Sequence, residues 1–286
     1  MLVVNAKSRK GRKFFRHACR ELKQAGVQLI AAHAVRDPAR MGEVIREAVL
    51  SDAPMVIVGG GDGSLSSSVD YFVEHDTVFA LLPLGTANSF ARTLGIPLDI
   101  AGAAKVIATG RRRRIDLGMI DHDYFANCAA IGLSPLIAET VPHGLKAKLG
   151  RVGYFTWAML KMSKFKAFRL TLRGEGIDET VDALEVRIAN GPYHGGTALV
   201  DEARVDSGEI VVQAVVGTAL PYLGWSWFLS VTRLRARKTT REFRGQAIEV
   251  ITDPPLPISI DGEVLAQTPV TAKVARAVIE VAVPAG

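Results

Sequence analysis

Over residues 1–118, apolar and polar positions alternate between two periods. Short apolar runs at Leu2–Asn5, Val27–Ala32, Met55–Val58 and Val78–Leu82 have the length and composition of buried parallel strands. Between them, Phe14–Ala25 sets Phe14, Phe15, Ala18, Leu22 and Ala25 near one face of a helix, and Met41–Leu50 is helical again. Alternating strand and helix predicts a parallel sheet with helices on its faces. After Gly118 the character changes. Tyr124–Ala130, Phe168–Leu172, Asp182–Ala189, Glu209–Val216, Ala247–Ile251, Pro257–Ile260 and Val274–Val283 read as strands, most of them separated by turn residues. That pattern predicts an antiparallel sandwich or barrel. Two helical inserts, 145–164 and 219–234, interrupt it. The expected fold is an α/β parallel-sheet domain over 1–118, then a β-sandwich domain with helical inserts over 119–286.

Candidate chemistry gathers where the first strands end. Val56-Ile57-Val58 runs into Gly59, Gly60, Gly61, Asp62, Gly63 and Ser64, with a helix expected to start near Ser64. Glycines let the backbone approach a ligand closely, and the N–H groups opening a helix attract an anion. Asp62 adds a carboxylate where a phosphate and its Mg²⁺ would sit; its alternative role is an N-cap for the helix. A second loop, Leu82-Pro83-Leu84-Gly85-Thr86-Ala87-Asn88-Ser89-Phe90, also follows an apolar strand and also opens a helix. Two such loops on successive strands face each other across one crevice.

Gly-Gly-Gly-Asp-Gly-Ser followed by Pro-Leu-Gly-Thr-Ala-Asn-Ser-Phe-Ala-Arg resembles the diacylglycerol kinase/sphingosine kinase catalytic family of lipid kinases. Val3 to Gly11 resembles the family's opening strand and phosphate loop. Ile115-Asp116-Leu117-Gly118, Ala189 to Gly196 and Ile260-Asp261-Gly262-Glu263 follow in the family's order. The resemblance implies an ATP site on Asn5, Lys7, Ser8, Gly59, Gly60, Gly61, Asp62, Gly63, Ser64, Gly85, Thr86 and Asn88, with Mg²⁺ reaching Asp62 through ATP. It implies Glu263 as the base for the attacking hydroxyl, with Asp261 as a partner for it or for metal and Asp62 in the catalytic set. Asn190, His194, Gly195 and Gly196 fall on the substrate side.

The chain also departs from the family pattern. Ala6 and Arg9 stand where proline and often glycine are usual, and Ser89 stands where aspartate is common. Arg204, Ser207 and Glu209 occupy a turn that holds a structural Mg²⁺ in some members, but Ser207 replaces the ligating aspartate, so a plain turn is expected there. Without the resemblance, Asp261-Gly262 between apolar runs is simply a strong hairpin signal.

Composition narrows the partners. A hydrophobic content of 48% excludes disorder, and no apolar run approaches the length needed to cross a bilayer. With Met1 leading directly into the first strand no signal peptide is expected, and Cys19 and Cys128 give no disulfide framework. The expected location is the cytoplasm, at the inner face of the membrane. Net charge is +6. Thr140 to Gly174 holds eight bases and no acid, interleaved with aromatics; Trp225 to Arg241 repeats the theme. Stretches 144–173 and 221–241 thus fit an anionic membrane surface; the alternative is a solvated helix face. No nucleic-acid motif is visible. The expected partners are ATP, a membrane lipid and that surface, and a homodimer is compatible with the sequence. The rival readings are a soluble-substrate kinase resembling NAD kinases, and a catalytically silent lipid- or nucleotide-binding protein.

Overall fold

The computed structural model describes residues 1–7, 9–132, 166–217 and 240–285. The two expected helical inserts, 145–164 and 219–234, lie outside these residues, as does Ser8. The chain opens with β1 (Leu2–Asn5), α1 (Arg9–Gln24), β2 (Ala32–Val35), α2 (Met41–Leu50), β3 (Met55–Gly60), α3 (Asp62–Ser66), β4 (Val78–Pro83), α4 (Ser89–Thr93) and α5 (Ile100–Thr109). The four strands are parallel, in spatial order β2-β1-β3-β4. β1, β3 and β4 are near-continuous apolar runs because helices cover both faces of the sheet. Leu2, Val3, Val4, Val56, Val58, Phe79 and Leu82 are all fully buried, and each removes roughly 1.5–3 kcal/mol of side chain from water. Phe79 stacks on Phe72 with ring centroids 4.3 Å apart.

The second strand departs from the expected Val27–Ala32. Pairing of Leu2 with Ala32 and Asn5 with Val35 moves it to Ala32–Val35, and Ile30 is left 74% exposed. β2 is an edge strand, exposed at Ala32, His33 and Ala34, so apolarity is a poor guide to its position. The helix expected near Ser64 begins at Asp62, with Gly61 as its N-cap.

From β5 (Arg111–Ile120) onward the strands are antiparallel, as the turn-rich pattern predicts. β6 (Asp123–Phe125) and β7 (Cys128–Gly132) divide the run expected as one strand at Ala126-Asn127. There the backbone instead binds Asn190 and Asp261. β8 (Phe168–Gly174), β9 (Ile177–Ala189), the short pair β10 (Tyr193–His194) and β11 (Thr197–Ala198), then β12 (Ile210–Val216) follow. The chain finishes with β13 (Thr240–Gly245), β14 (Ala247–Asp253), β15 (Pro257–Ile260), β16 (Glu263–Gln267) and β17 (Val270–Val283). The sandwich core is built from Ile131, Leu170, Val186, Ile188, Val212, Val250 and Ile258 among others.

β17 ties the two parts together. Its first half pairs with β14 and with the end of β5, and its second half runs beside the start of β5 and meets β4 in parallel at Val281–Phe79. The register breaks between Ala275 and Ile279, where Ala277 adopts φ 50°. Buried Asp116 fixes this break. Its carboxylate accepts from the N–H groups of Ala277 (2.8 Å) and Gly208 (2.7 Å), leaving neither donor unpaired.

Candidate active site

The parallel register aligns Val4 with Gly59 and Gly60 with Pro83, so the loops after β1, β3 and β4 emerge at one sheet edge. The two glycine loops touch through their backbones. A Cβ added to Gly85 would stand 2.6 Å from the Cα of Gly61, which leaves room only for glycine at 85, and a Cβ at Gly61 would lie 3.3 Å from the Gly85 Cα. Asn88, left-handed at φ 49°, folds its loop shut: Oδ1 accepts from the Gly85 N–H (2.9 Å) and Nδ2 donates to the Gly85 carbonyl (3.0 Å). Asn5 joins the first loop to the second by donating to Ser64 Oγ at 3.2 Å. Gly11 is equally constrained, since a Cβ there would lie 2.8 Å from the Asn5 carbonyl oxygen. Lys7 and Thr86 are exposed on the rims of these loops.

Asp62 is the first residue of α3 and caps no N–H of its own helix. Its Oδ1 instead accepts from the Ser89 N–H on the neighbouring loop. Among the described residues, its other oxygen takes no hydrogen bond, and the side chain lines a cleft of about 170 Å³. That free carboxylate oxygen, beside two glycine loops, is a donor that fits a Mg²⁺ carried in with a nucleotide.

The far wall of that cleft comes from the second part of the chain. Ser66 and Ser89 line the cleft beside Asp62, and Asn127, Tyr193, His194, Gly195, Asp261 and Gly262 line it from the second part. Asp261 and Gly262 form the expected two-residue hairpin turn, with φ 45° and 102°, and Ile260 pairs with Glu263 across it. Asp261 also anchors the turn. Its two carboxylate oxygens accept from the Ala126 N–H (2.9 Å) and the Cys128 N–H (3.2 Å), and its own N–H donates to the Cys128 carbonyl. Burial pushes the Asp261 carboxyl above its ordinary range, and these two N–H groups, the Ser66 hydroxyl and His194 offset part of that rise. Burial likewise lowers the His194 imidazole, favouring the neutral ring.

Glu263 stands exposed beside an adjoining hollow lined by Gly63, Ser66, Asp70, Asp123, Tyr124 and Asp261. Asp261 belongs to both hollows, so the structure brings Asp62, Asp261, Glu263 and His194 to one interdomain region. Asn190 is placed differently from His194. It is fully buried behind the cleft, its Nδ2 donating to the carbonyls of Asp116 (3.0 Å) and Ala126 (2.9 Å). It braces the cleft wall without lining it. Gly195 and Gly196 close the cleft, and Gly196 donates its N–H to Ser89 Oγ at 2.9 Å. Ser89 thus links Asp62 on one side to the 195–196 turn on the other.

Sequence reasoning missed Asn127, Asp70 and Asp123. Asn127 is buried at 3% exposure, accepts from Thr93 Oγ1 (2.8 Å) and anchors Asn190 and Gly191 through its carbonyl. The one available signal was an asparagine inside an otherwise apolar run. Asp70 has no motif around it; its carboxyl is pushed up to about 6 by burial, then by Asp123 and Asp261.

The turn at 204–209 does not fit a divalent cation. Ser207 Oγ lies 3.0 Å from the carbonyl oxygens of both Arg204 and Glu209 and also accepts from the Glu209 N–H at 3.3 Å, so a hydroxyl already bridges the groups a metal would gather. Among the described residues no cluster of His, Cys, Asp or Glu could hold a metal ion, and no helix is long and apolar enough to cross a membrane.

Comparison with known proteins agrees with this architecture. A profile described as "Diacylglycerol kinase catalytic domain" matches residues 1–120, and one described as "YegS C-terminal NAD kinase beta sandwich-like domain" matches 128–283. A "Probable lipid kinase YegS-like" of Klebsiella pneumoniae (strain 342) is 34% identical over 227 residues, covering 77% of this chain and 75% of that one. A protein of the same description from Enterobacter sp. (strain 638) is 29% identical over 272 residues, covering 93% and 89%. A crystal structure titled as a diacylglycerol kinase from Bacillus anthracis str. Sterne shares the fold, with a TM-score of 0.76 and 21% identity, covering 99% of this chain and 95% of that one.

Proposed function

The chain belongs to the YegS-like family of lipid kinases, built on a diacylglycerol kinase catalytic domain, and from that premise we propose that it transfers the γ-phosphate of ATP to a hydroxyl of a membrane lipid such as diacylglycerol or a sphingoid base. The observation that carries this reading is the cleft shared by Asp62 of the first part and His194 and Asp261 of the second. In this reading residues 1–118 hold the nucleotide and 119–286 the lipid.

Phosphoryl transfer needs positioning, charge neutralisation and a proton acceptor. In this reading the loops at 5–11, 59–65 and 85–88 form the nucleotide site, with the N–H groups that open α3 facing the phosphates. Bound with ATP against the free oxygen of Asp62, Mg²⁺ would neutralise charge on the transferring group. Glu263 accepts the proton of the attacking lipid hydroxyl. Asp261, committed to two backbone N–H groups, positions the turn that carries it. Neutral His194 and the Gly195-Gly196 turn shape the acceptor side. The enzyme works peripherally at the inner face of the cytoplasmic membrane, through stretches 144–173 and 221–241, most of which lie outside the described residues.

The test is γ-labelled ATP with a panel of lipids in mixed micelles, the products separated by chromatography. A labelled lipid that depends on Mg²⁺ supports the proposal. Label passing only to a water-soluble acceptor, or to none, overturns it.

A further inference from the structure

Helix α1 carries a net charge equal to that of the whole chain. Its sixteen residues hold seven bases and one acid, a formal +6. The chain as a whole has 35 bases and 29 acids, also +6. The rest therefore has 28 of each and no net charge.

That charge is arranged. At about 100° per residue, Arg12, Lys13, Arg16, Arg20 and Lys23 fall within roughly a 100° arc. All five are exposed. The opposite side is apolar: Ala18 and Leu22 are fully buried, and Phe14, Phe15 and Cys19 pack on the core of the first domain. The single acid, Glu21, sits between His17 and Arg20, each 3.2 Å away. Among the described residues the other four bases of the arc touch no carboxylate. Elsewhere on the surface arginines are commonly paired, as in Arg113–Asp206 at 2.6 Å and Arg244–Glu202 at 2.8 Å.

Unpaired like charges repel one another and disfavour the compact state. Several on one face, with the apolar side already buried, mark a surface built for an anionic partner. From Arg12 to Lys23 the row is about 17 Å long at 1.5 Å per residue. It starts one turn into α1, which follows β1. It contains no exposed aromatic to stack on a base. We propose that the exposed face of α1 docks on a bilayer surface rich in anionic lipid, a contact separate from stretches 144–173 and 221–241. The choice of a bilayer over another polyanion rests on the lipid kinase reading; the docking itself does not involve catalysis.

The experiment is co-sedimentation of the full chain with vesicles of equimolar phosphatidylcholine and phosphatidylglycerol, at low salt. One variant carries Arg12→Gln, Arg16→Gln, Arg20→Gln and Lys23→Gln. A second carries Arg12→Lys, Arg16→Lys and Arg20→Lys. Each basic residue near such a surface contributes about fivefold in binding. The glutamine variant should lose roughly several hundredfold in vesicle affinity, at an unchanged melting temperature. The lysine variant should bind like the wild type, because a surface potential reads charge and not guanidinium geometry. None of the three proteins should sediment with pure phosphatidylcholine. Wild-type-like sedimentation of the glutamine variant, loss of binding in the lysine variant, or tighter binding of the wild type to duplex DNA than to anionic vesicles would each overturn the proposal. Absence of kinase activity would sink the functional reading and leave this binding result standing.

Discussion

Replacing Gly85 with alanine tests whether the two glycine loops form one rigid unit. The added methyl would stand 2.6 Å from the Cα of Gly61 and 2.9 Å from Asn88 Oδ1. Carbon atoms prefer separations of about 3.5–4.0 Å, so the loops must part by roughly 1 Å. Neither obstacle yields easily: one is backbone, and the other is the side chain that closes the loop through two hydrogen bonds to Gly85. Forcing a methyl into such a contact costs about 1–3 kcal/mol. Alanine recovers about 0.4–1 kcal/mol by restricting the unfolded chain. A net loss of about 1–2 kcal/mol is expected, close to 2–4 °C in melting temperature per kcal/mol for a chain of this size. Gly63→Ala is the internal control. No atom lies within 4 Å of its added Cβ, and its backbone is helical, so stability should be unchanged or slightly higher. Thermal denaturation of both variants reads the difference. In the lipid kinase reading, Gly85→Ala also raises the KM for ATP. A Gly85→Ala protein that melts with the wild type and keeps its ATP KM would refute the argument.

Two further outcomes follow from particular groups. Asp70, with its carboxyl pushed up to about 6, binds its proton more tightly when folded, so its ionisation costs stability as pH rises from about 4 to about 6. Asp70→Asn should therefore stabilise the protein at neutral pH by about 1 kcal/mol, the full shift being discounted for solvent screening. It should change nothing near pH 4, and urea unfolding at the two pH values decides. Ser207→Ala removes the hydroxyl bridging the Arg204 and Glu209 carbonyls and should cost about 0.5–2 kcal/mol, whereas EDTA should leave the wild-type melting temperature unmoved; a fall with EDTA would reveal a cation at that turn.

What the sequence made legible was local and strongly patterned. The apolar runs of β1, β3 and β4 are buried on both faces, so their composition alone identifies them. The Asp261-Gly262 turn was equally readable, because two successive positive φ angles demand that dipeptide. The edge strand β2 was misplaced because its exposed positions lack an apolar signature. β13 and β16 escaped notice because neither buries a single residue, so no alternating pattern marks them. In the site, the glycine loops stand out in the chain, but their mutual contact does not: Gly61 and Gly85 meet only through strand register. Asn127 accepts from Thr93, 34 positions away, and Ser89 accepts from Gly196, 107 positions away, and no local pattern encodes such pairings. The charge on α1 was counted in the total but could not be assigned to a face until the helix was seen packed.

Glu263 is the residue on which the proposed chemistry depends most directly. Glu263→Gln keeps the size and hydrogen bonding of the side chain but cannot take a proton. The measurement is kcat for transfer of labelled γ-phosphate from ATP to lipid in mixed micelles. Loss of a general base predicts a fall of about 10²–10⁴-fold, with kcat/KM for lipid falling in step and ATP affinity and melting temperature unchanged. A variant that keeps wild-type turnover, or loses turnover only because it melts much earlier, would contradict the account.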